Sequence, residues 1–181
     1  MDFKKVFTKL IETFKKNNIE YALIGGFALG IYGVIRATAD LGFLINKRHE
    51  DFLKEFMAKN LYEVIYESEN IIQFDHPAKI FGSIDFLYAF RAPSLEMLKR
   101  AVKKKLFDGK ITVKILIPED LIGLKIQSFV NNPNRKIFEM EDIKNLIAAN
   151  QKNINWEILK KYFVLFKLNS LYKKLREDFN V

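Results

Sequence analysis

Leu23-Ile24-Gly25-Gly26 and, after an interval of 13 residues, Asp40-Leu41-Gly42-Phe43-Leu44-Ile45 decide the reading of this chain. Each is a short apolar run of strand character, one closed by a glycine pair and the other opened by an acid. Alternate side chains of a strand share a face, so Asp40, Gly42 and Leu44 point one way and Leu41, Phe43 and Ile45 the other. A second acid, Asp85, lies inside the apolar run Ser83-Ile84-Asp85-Phe86-Leu87. An ionised carboxylate in such surroundings is costly unless it is paired or bound to a metal. Two acids on neighbouring strands of an apolar sheet suit a hard divalent cation such as magnesium. The plainer alternatives are a strand-end acid at Asp40, bonded to backbone or to Arg36, and a buried ion pair at Asp85.

The glycine pair, the interval and the acid resemble the signature of the nucleotidyltransferase superfamily, the polymerase-beta-like fold. There a hydrophobic-Gly-Gly/Ser turn precedes an Asp-hydrophobic-Asp/Glu pair. Ala28, Leu29, Tyr32, Gly33 and Arg36-Ala37-Thr38 are similar to the Ala-Leu-x-x-Tyr-Gly-x-x-Arg-x-Thr stretch of a prokaryotic subgroup that includes the AbiEii-type toxins. Ile117-Pro118-Glu119-Asp120-Leu121 with Lys125, and Arg135-Lys136 with Glu141-Asp142-Ile143 and Leu146, resemble later elements of that subgroup. The resemblance covers roughly residues 20–150.

The resemblance implies binding of a nucleoside triphosphate with Mg2+ or Mn2+, and transfer of a nucleotidyl group to a hydroxyl of RNA, a protein or a small molecule. Two metal ions about 3.5–4 Å apart clamp the attacking and leaving oxygens in such reactions. By the same resemblance Asp40 and Asp85 are the catalytic and metal-ligating acids. Gly25 and Gly26 form the triphosphate loop, because backbone amides approach phosphate closely where no Cβ intervenes. Arg36, Thr38 and Lys125 are the further nucleotide-binding candidates; the alternative for Lys125 is a lysine paired with Asp142.

Gly42 departs from the pattern, since it occupies the place of the second acid and brings no ligand. Three readings are open. The protein is a catalytically degenerate nucleotide- or nucleic-acid-binding module, with a toxin–antitoxin partner; or a nearby acid such as Asp75 or Glu67 substitutes; or a single ion suffices.

Composition bounds the rest. A chain of 181 residues with 49% hydrophobic and 29% charged residues is expected to be globular. The absence of cysteine excludes disulfides, thiolate metal sites and cysteine nucleophiles. The opening Met1-Asp2-Phe3-Lys4-Lys5 has no secretory pattern, and the longest uncharged stretch, residues 21–35, is too short to span a bilayer. A cytoplasmic location without membrane attachment is the expectation. Residues 1–92 carry 12 basic and 12 acidic side chains, whereas residues 93–181 carry 18 and 10. That excess suits solvated helix faces, or attraction to tRNA or another nucleic acid. His49 and His76 have no metal-ligand spacing and read as surface residues.

Periodicity predicts an α/β layout followed by C-terminal helices, and the resemblance implies a fold of the α+β type, a mixed twisted sheet flanked by helices. Residues 1–117 form the α/β core and residues 118–181 a helical region packed on it. Helices are expected over residues 3–17, 27–34, 51–59, 95–106, 118–130, 138–150 and 156–179, the last with a break near Asn169-Ser170. Strands are expected over 20–24, 39–46, 61–66, 70–75, 79–90 and 111–117.

Overall fold

The computed structural model describes residues 3–38 and 40–180. Chain contacts divide it into two units, Met1–Ala28 with Ala37–Leu116, and Leu29–Arg36 with Ile117–Val181. The expected division at residue 117 differs in one segment, 29–36, which clusters with the C-terminal helices. Asn150 Nδ2 donates to Tyr32 O at 3.0 Å, and Arg36 pairs with Asp142.

The first unit is built on a seven-stranded mixed sheet. Its strands are β1 (Tyr21–Ile24), β2 (Asp40–Asn46), β3 (Glu63–Glu67), β4 (Ile71–Asp75), β5 (Ser83–Ala89), β6 (Val102–Leu106) and β7 (Ile111–Ile115), in the order β3-β4-β5-β2-β1-β7-β6. β2 runs antiparallel to β1 and parallel to β5. The helices of this unit are α1 (Phe3–Lys16), α3 (Glu50–Lys59) and α4 (Ala92–Arg100); α2 (Gly25–Ile31) follows β1. The expected start of β2 at Ala39 lies outside the described residues.

Alternation in β2 and β5 separates two chemistries. Leu41, Phe43, Ile84 and Phe86 are fully buried. Phe43 and Phe86 stack at 5.6 Å between centroids, and α1 lays Phe7 and Phe14 over Phe43 at 6.1 and 5.7 Å. Aromatic pairs at such separations add to the stabilisation from area burial. The other face carries Asp40, Gly42 and Asp85, which are at least partly accessible.

The expected helix over 95–106 is corrected at its C-terminal half. α4 ends at Arg100, and Val102–Leu106 forms β6, an edge strand paired to β7. The Lys103-Lys104-Lys105 run is compatible with a helix by propensity. The hairpin overrides that preference: Phe107, Asp108 and Gly109 all take positive φ and turn the chain back. Lysines on an edge strand also discourage pairing with another chain.

The second unit is helical, with α5 (Pro118–Asn131), α6 (Lys136–Asn150), α7 (Trp156–Leu165) and α8 (Asn169–Asp178). Lys167, at φ +57°, separates α7 from α8, slightly before the expected break. Glu119 and Asp120, which suit a helix start by charge, are buried instead. Glu119 Oε1 accepts from Asn155 N at 2.5 Å, and Asp120 Oδ1 accepts from the Tyr162 hydroxyl at 2.6 Å. His76 is likewise buried, at 8% exposure, against the rings of Tyr62 and Phe81 at 4.9 and 4.6 Å. The surface reading of His76 is therefore corrected: apolar neighbours distant in sequence enclose it. His49 is part-buried, with Nε2 accepting from Glu20 N at 3.3 Å; burial first and then the Arg48 charge depress its pKa. Among the described residues no helix is long and apolar enough to cross a membrane.

Phe43 sits at the centre of the aromatic cluster, so Phe43→Ala is expected to lower unfolding free energy by about 3–5 kcal/mol. Urea denaturation checks this; a loss under ~1 kcal/mol contradicts the assigned core.

Candidate active site

The register of β2 against β5 brings the expected acids together. Asp40 lies opposite Ser83 and Gly42 opposite Asp85. With side chains alternating along each strand, Asp40, Gly42 and Asp85 project from one face of the sheet, away from Phe43 and Phe86. β4 adds Gln73 directly opposite Asp85 on its other side. Burial raises the pKa of the Asp85 carboxyl, a hydrogen bond from Gln73 opposes that rise, and the Asp40 charge adds to it. Asp85, its pKa raised beside the Asp40 carboxylate on the same sheet face, makes this pair the candidate cation site.

The glycine pair closes this face at the end of β1. Gly25 has φ +72°, a conformation that suits glycine. A Cβ on Gly25 would come 4.0 Å from Gly42 Cα, so the bend passes close to Gly42. A Cβ on Gly26 would come 2.8 Å from Thr38 Cβ and 2.9 Å from Thr38 Oγ1. Thr38 thus packs against a position that only glycine fits. Its hydroxyl lies 3.2 Å from both the backbone oxygen and Oδ1 of Asp40. Gly26, Thr38 and Asp40 form one chain of contacts that fixes the first acid at the head of β2.

Arg36 and Lys125 belong to the second unit, and their charges are engaged there. Lys125 Nζ lies 2.6 Å from Asp142 Oδ2 and 2.9 Å from Glu139 Oε2; Arg36 also pairs with Asp142. Arg135 Nη2 and Ser128 Oγ reach Glu139 Oε1 at 2.7 and 2.9 Å. Burial pushes the Glu139 pKa up, but Lys125, Ser128 and Arg135 outweigh it and hold the carboxyl below its usual range. The pairing of Lys125 with Asp142, one of the two readings of the sequence, is what the geometry shows.

No third acid joins Asp40 and Asp85: among the described residues no group of three or more His, Asp and Glu is placed to hold a metal. Glu67 faces Lys54 Nζ at 2.5 Å, and Asp75 Oδ1 accepts from Ser83 Oγ at 2.9 Å. Asp40 and Asp85 are the two carboxylates that would hold a divalent ion here, short of the three-donor group that a pair of ions would call for. Gln73 is the site residue that the sequence reading missed. Its signal was the alternation in Ile71-Ile72-Gln73-Phe74-Asp75, where the polar positions fall on one face.

No protein-family model matches the chain, and no curated protein matches it in sequence. Solved structures do. The antibiotic-resistance factor ANT(2'')-Ia superposes with a TM-score of 0.67 over 98% of both chains at 15% identity. A nucleotidyltransferase-like protein from Paracoccidioides brasiliensis gives 0.57 over 97% of this chain and 92% of that one, at 20% identity. The lincosamide antibiotic adenylyltransferase LnuA, bound to lincomycin, gives 0.56 over 80% and 96%, at 13% identity. The chain has the nucleotidyltransferase fold. Within the nucleotidyltransferase fold of this chain, the diglycine bend follows β1, the first acid opens β2, and Asp85 projects from β5 on the same face.

Two outcomes test this geometry. A carboxyl whose pKa is raised on folding binds more protons in the native state, so stability falls as pH rises from the unfolded value through the folded one. Asp85→Asn is therefore expected to raise the melting temperature at pH 7, with the gain shrinking as pH falls through the raised folded value and absent below pH ~4, the unfolded carboxyl range. Titration of Asp85 by 13C NMR should show a midpoint above the usual carboxyl range that drops in Asp40→Asn; an unmoved midpoint contradicts the pairing. Gly26→Ala is expected to destabilise by about 1–3 kcal/mol through overpacking against Thr38, and Thr38→Gly in that background should recover part of the loss in thermal melts.

Proposed function

We propose that this chain binds a nucleoside triphosphate with one magnesium or manganese ion held between Asp40 and Asp85, and transfers a nucleotidyl group slowly to a hydroxyl acceptor. The observation that carries the reading is the pair of carboxylates on one sheet face, Asp40 and the partly buried Asp85, beside the bend at Gly25. When bound, the ion neutralises phosphate charge and polarises the phosphorus under attack. The chain's own residues do the rest. The backbone at Gly25 and Gly26 admits the phosphates without a Cβ between. Thr38 holds Asp40 in place. Asp85, raised in pKa, accepts the proton of the acceptor hydroxyl as its oxygen bonds to the α-phosphorus and pyrophosphate departs. Arg36 and Lys125 keep the helical unit together through Asp142 and Glu139.

Gly42 sets the rate in this reading. Metal charge neutralisation supplies several kcal/mol and each 1.36 kcal/mol is tenfold, so a lost second ion costs roughly a thousandfold. The acceptor class that the neighbouring folds favour is a small hydroxyl compound: ANT(2'')-Ia has been captured with adenylyl-2''-tobramycin, and LnuA carries lincomycin. The basic excess of residues 93–181 favours a nucleic-acid acceptor instead. Gly42 also favours a second reading, in which the site binds nucleotide without turnover and serves a regulatory partner such as an antitoxin.

Isothermal titration with ATP, CTP, GTP and UTP, each with magnesium, is expected to give heat for at least one nucleotide, lost in Asp40→Asn and Asp85→Asn. Silence with all four overturns the reading. A Cβ at Gly42 meets Ile24 Cγ1 at 3.1 Å and Ile24 O at 3.4 Å, so Gly42→Asp requires the Ile24 side chain to shift by a few tenths of an ångström, and its melting temperature is measured alongside its activity. Labelled-triphosphate transfer should rise by about a thousandfold in that variant; unchanged binding with no rise selects the regulatory reading.

A further inference from the structure

The sheet face opposite the carboxylate pair holds a cavity of about 300 Å3 between α1, α3 and the segment from His76 to Ile84. Ile84, on its floor, precedes Asp85 in β5 and so points to the other side of the sheet. This volume is the lower end of the range for small-molecule sites and suits one or two fused rings. Its wall is aromatic, with Phe56, Tyr62, Phe81 and the buried ring of His76. Lys5, Lys9 and Lys59 rim it, and no carboxylate appears among the described residues that line it.

Three details point to a ligand rather than a packing defect. Lys5 Nζ stands 5.3 Å from the Phe81 ring centroid, so a cation already lies against the aromatic wall. His76 Nδ1 accepts from Ala78 N at 2.9 Å, which leaves the proton of the neutral ring on Nε2 as a donor. Leu61 is the third. It follows α3 at φ +63°, with its N–H bonded to Ala58 O and that of Tyr62 to Met57 O. This is the Schellman position that glycine fills without strain. Here a leucine, 70% exposed, occupies it at the cavity mouth. A bulky side chain held in the left-handed region and left in water is a poor choice for folding and a good one for gripping an apolar ligand.

We propose that this cavity binds a small aromatic anion of one or two rings, its ring against Phe56, Tyr62 and Phe81, its charge at Lys5 and Lys9, and Leu61 closing over it. Lys5 and Lys9 both line the cavity, one helical turn apart on α1, and Lys59 pairs with Glu55. The Tyr62 hydroxyl, bonded to Phe81 O at 3.1 Å and pushed up to about 12 by burial and by the Asp75 charge, stays a neutral donor throughout the physiological range. The site is independent of the nucleotidyl reading, because it lies on the opposite side of the sheet.

Full-length protein titrated with 2-naphthoate, neutral 2-naphthamide and inorganic phosphate tests this, read by calorimetry and by NMR shifts of the His76 ring and Leu61 methyls. Naphthoate should bind at least tenfold tighter than the amide, and phosphate should not displace it. Lys5→Glu with Lys9→Glu should weaken naphthoate about tenfold. Leu61→Gly should weaken it while leaving the melting temperature unchanged or higher, because the left-handed strain is released. Equal binding of acid and amide, indifference to the charge reversal, displacement by phosphate, absence of binding at millimolar concentration, or a Leu61→Gly variant that melts lower and binds as well each overturns the proposal.

Discussion

The parallel pairing of β2 with β5 is the constraint on which the rest depends. Its register sets Gly42 against Asp85 and Phe43 against Phe86. A strand has a period of two, so one register puts the aromatic residues in the core and the acids on the opposite face together. A slip of β2 by one residue would turn Asp40 into the core and Phe43 out of it, away from Phe86 and Asp85. The Phe7, Phe14, Phe43 and Phe86 cluster therefore does more than stabilise the unit: it holds the carboxylates in place. Asp85 works against folding at neutral pH, since its charge is desolvated and repelled by Asp40. An apolar core of this size tolerates such a group.

Much of the candidate site was legible in the sequence because it is encoded locally. Gly25-Gly26, the strand character of 40–46 and the alternation around Asp85 are short-range patterns, and each lies where expected. What escaped depends on pairing between distant segments. Gln73 becomes a partner of Asp85 only when β4 docks on β5. Lys103-Lys104-Lys105 become strand through a turn of left-handed residues. His76, Glu119 and Asp120 look exposed by type and are enclosed by neighbours far along the chain. Lys125 illustrates the limit in another way: a lysine that suits phosphate and a lysine that suits Asp142 are the same residue type, and only geometry separates them.

Gly42 gives the site its character. The bend at Gly25 passes close to its Cα, and Thr38 fills the space beside Gly26. Asp40, Asp85, the bend and the threonine are thus all arranged around a position with no side chain. The same strand, β5, faces the carboxylate pair through Asp85 and the aromatic cavity through Ile84, so one element contributes to two chemically unlike surfaces.

Anomalous diffraction from crystals soaked in manganese and a nucleoside triphosphate measures the central claim most directly. The account predicts one manganese peak bonded to both Asp40 and Asp85, with nothing bound on the Gly42 side. No peak at these carboxylates, or a peak held by only one of them, contradicts it.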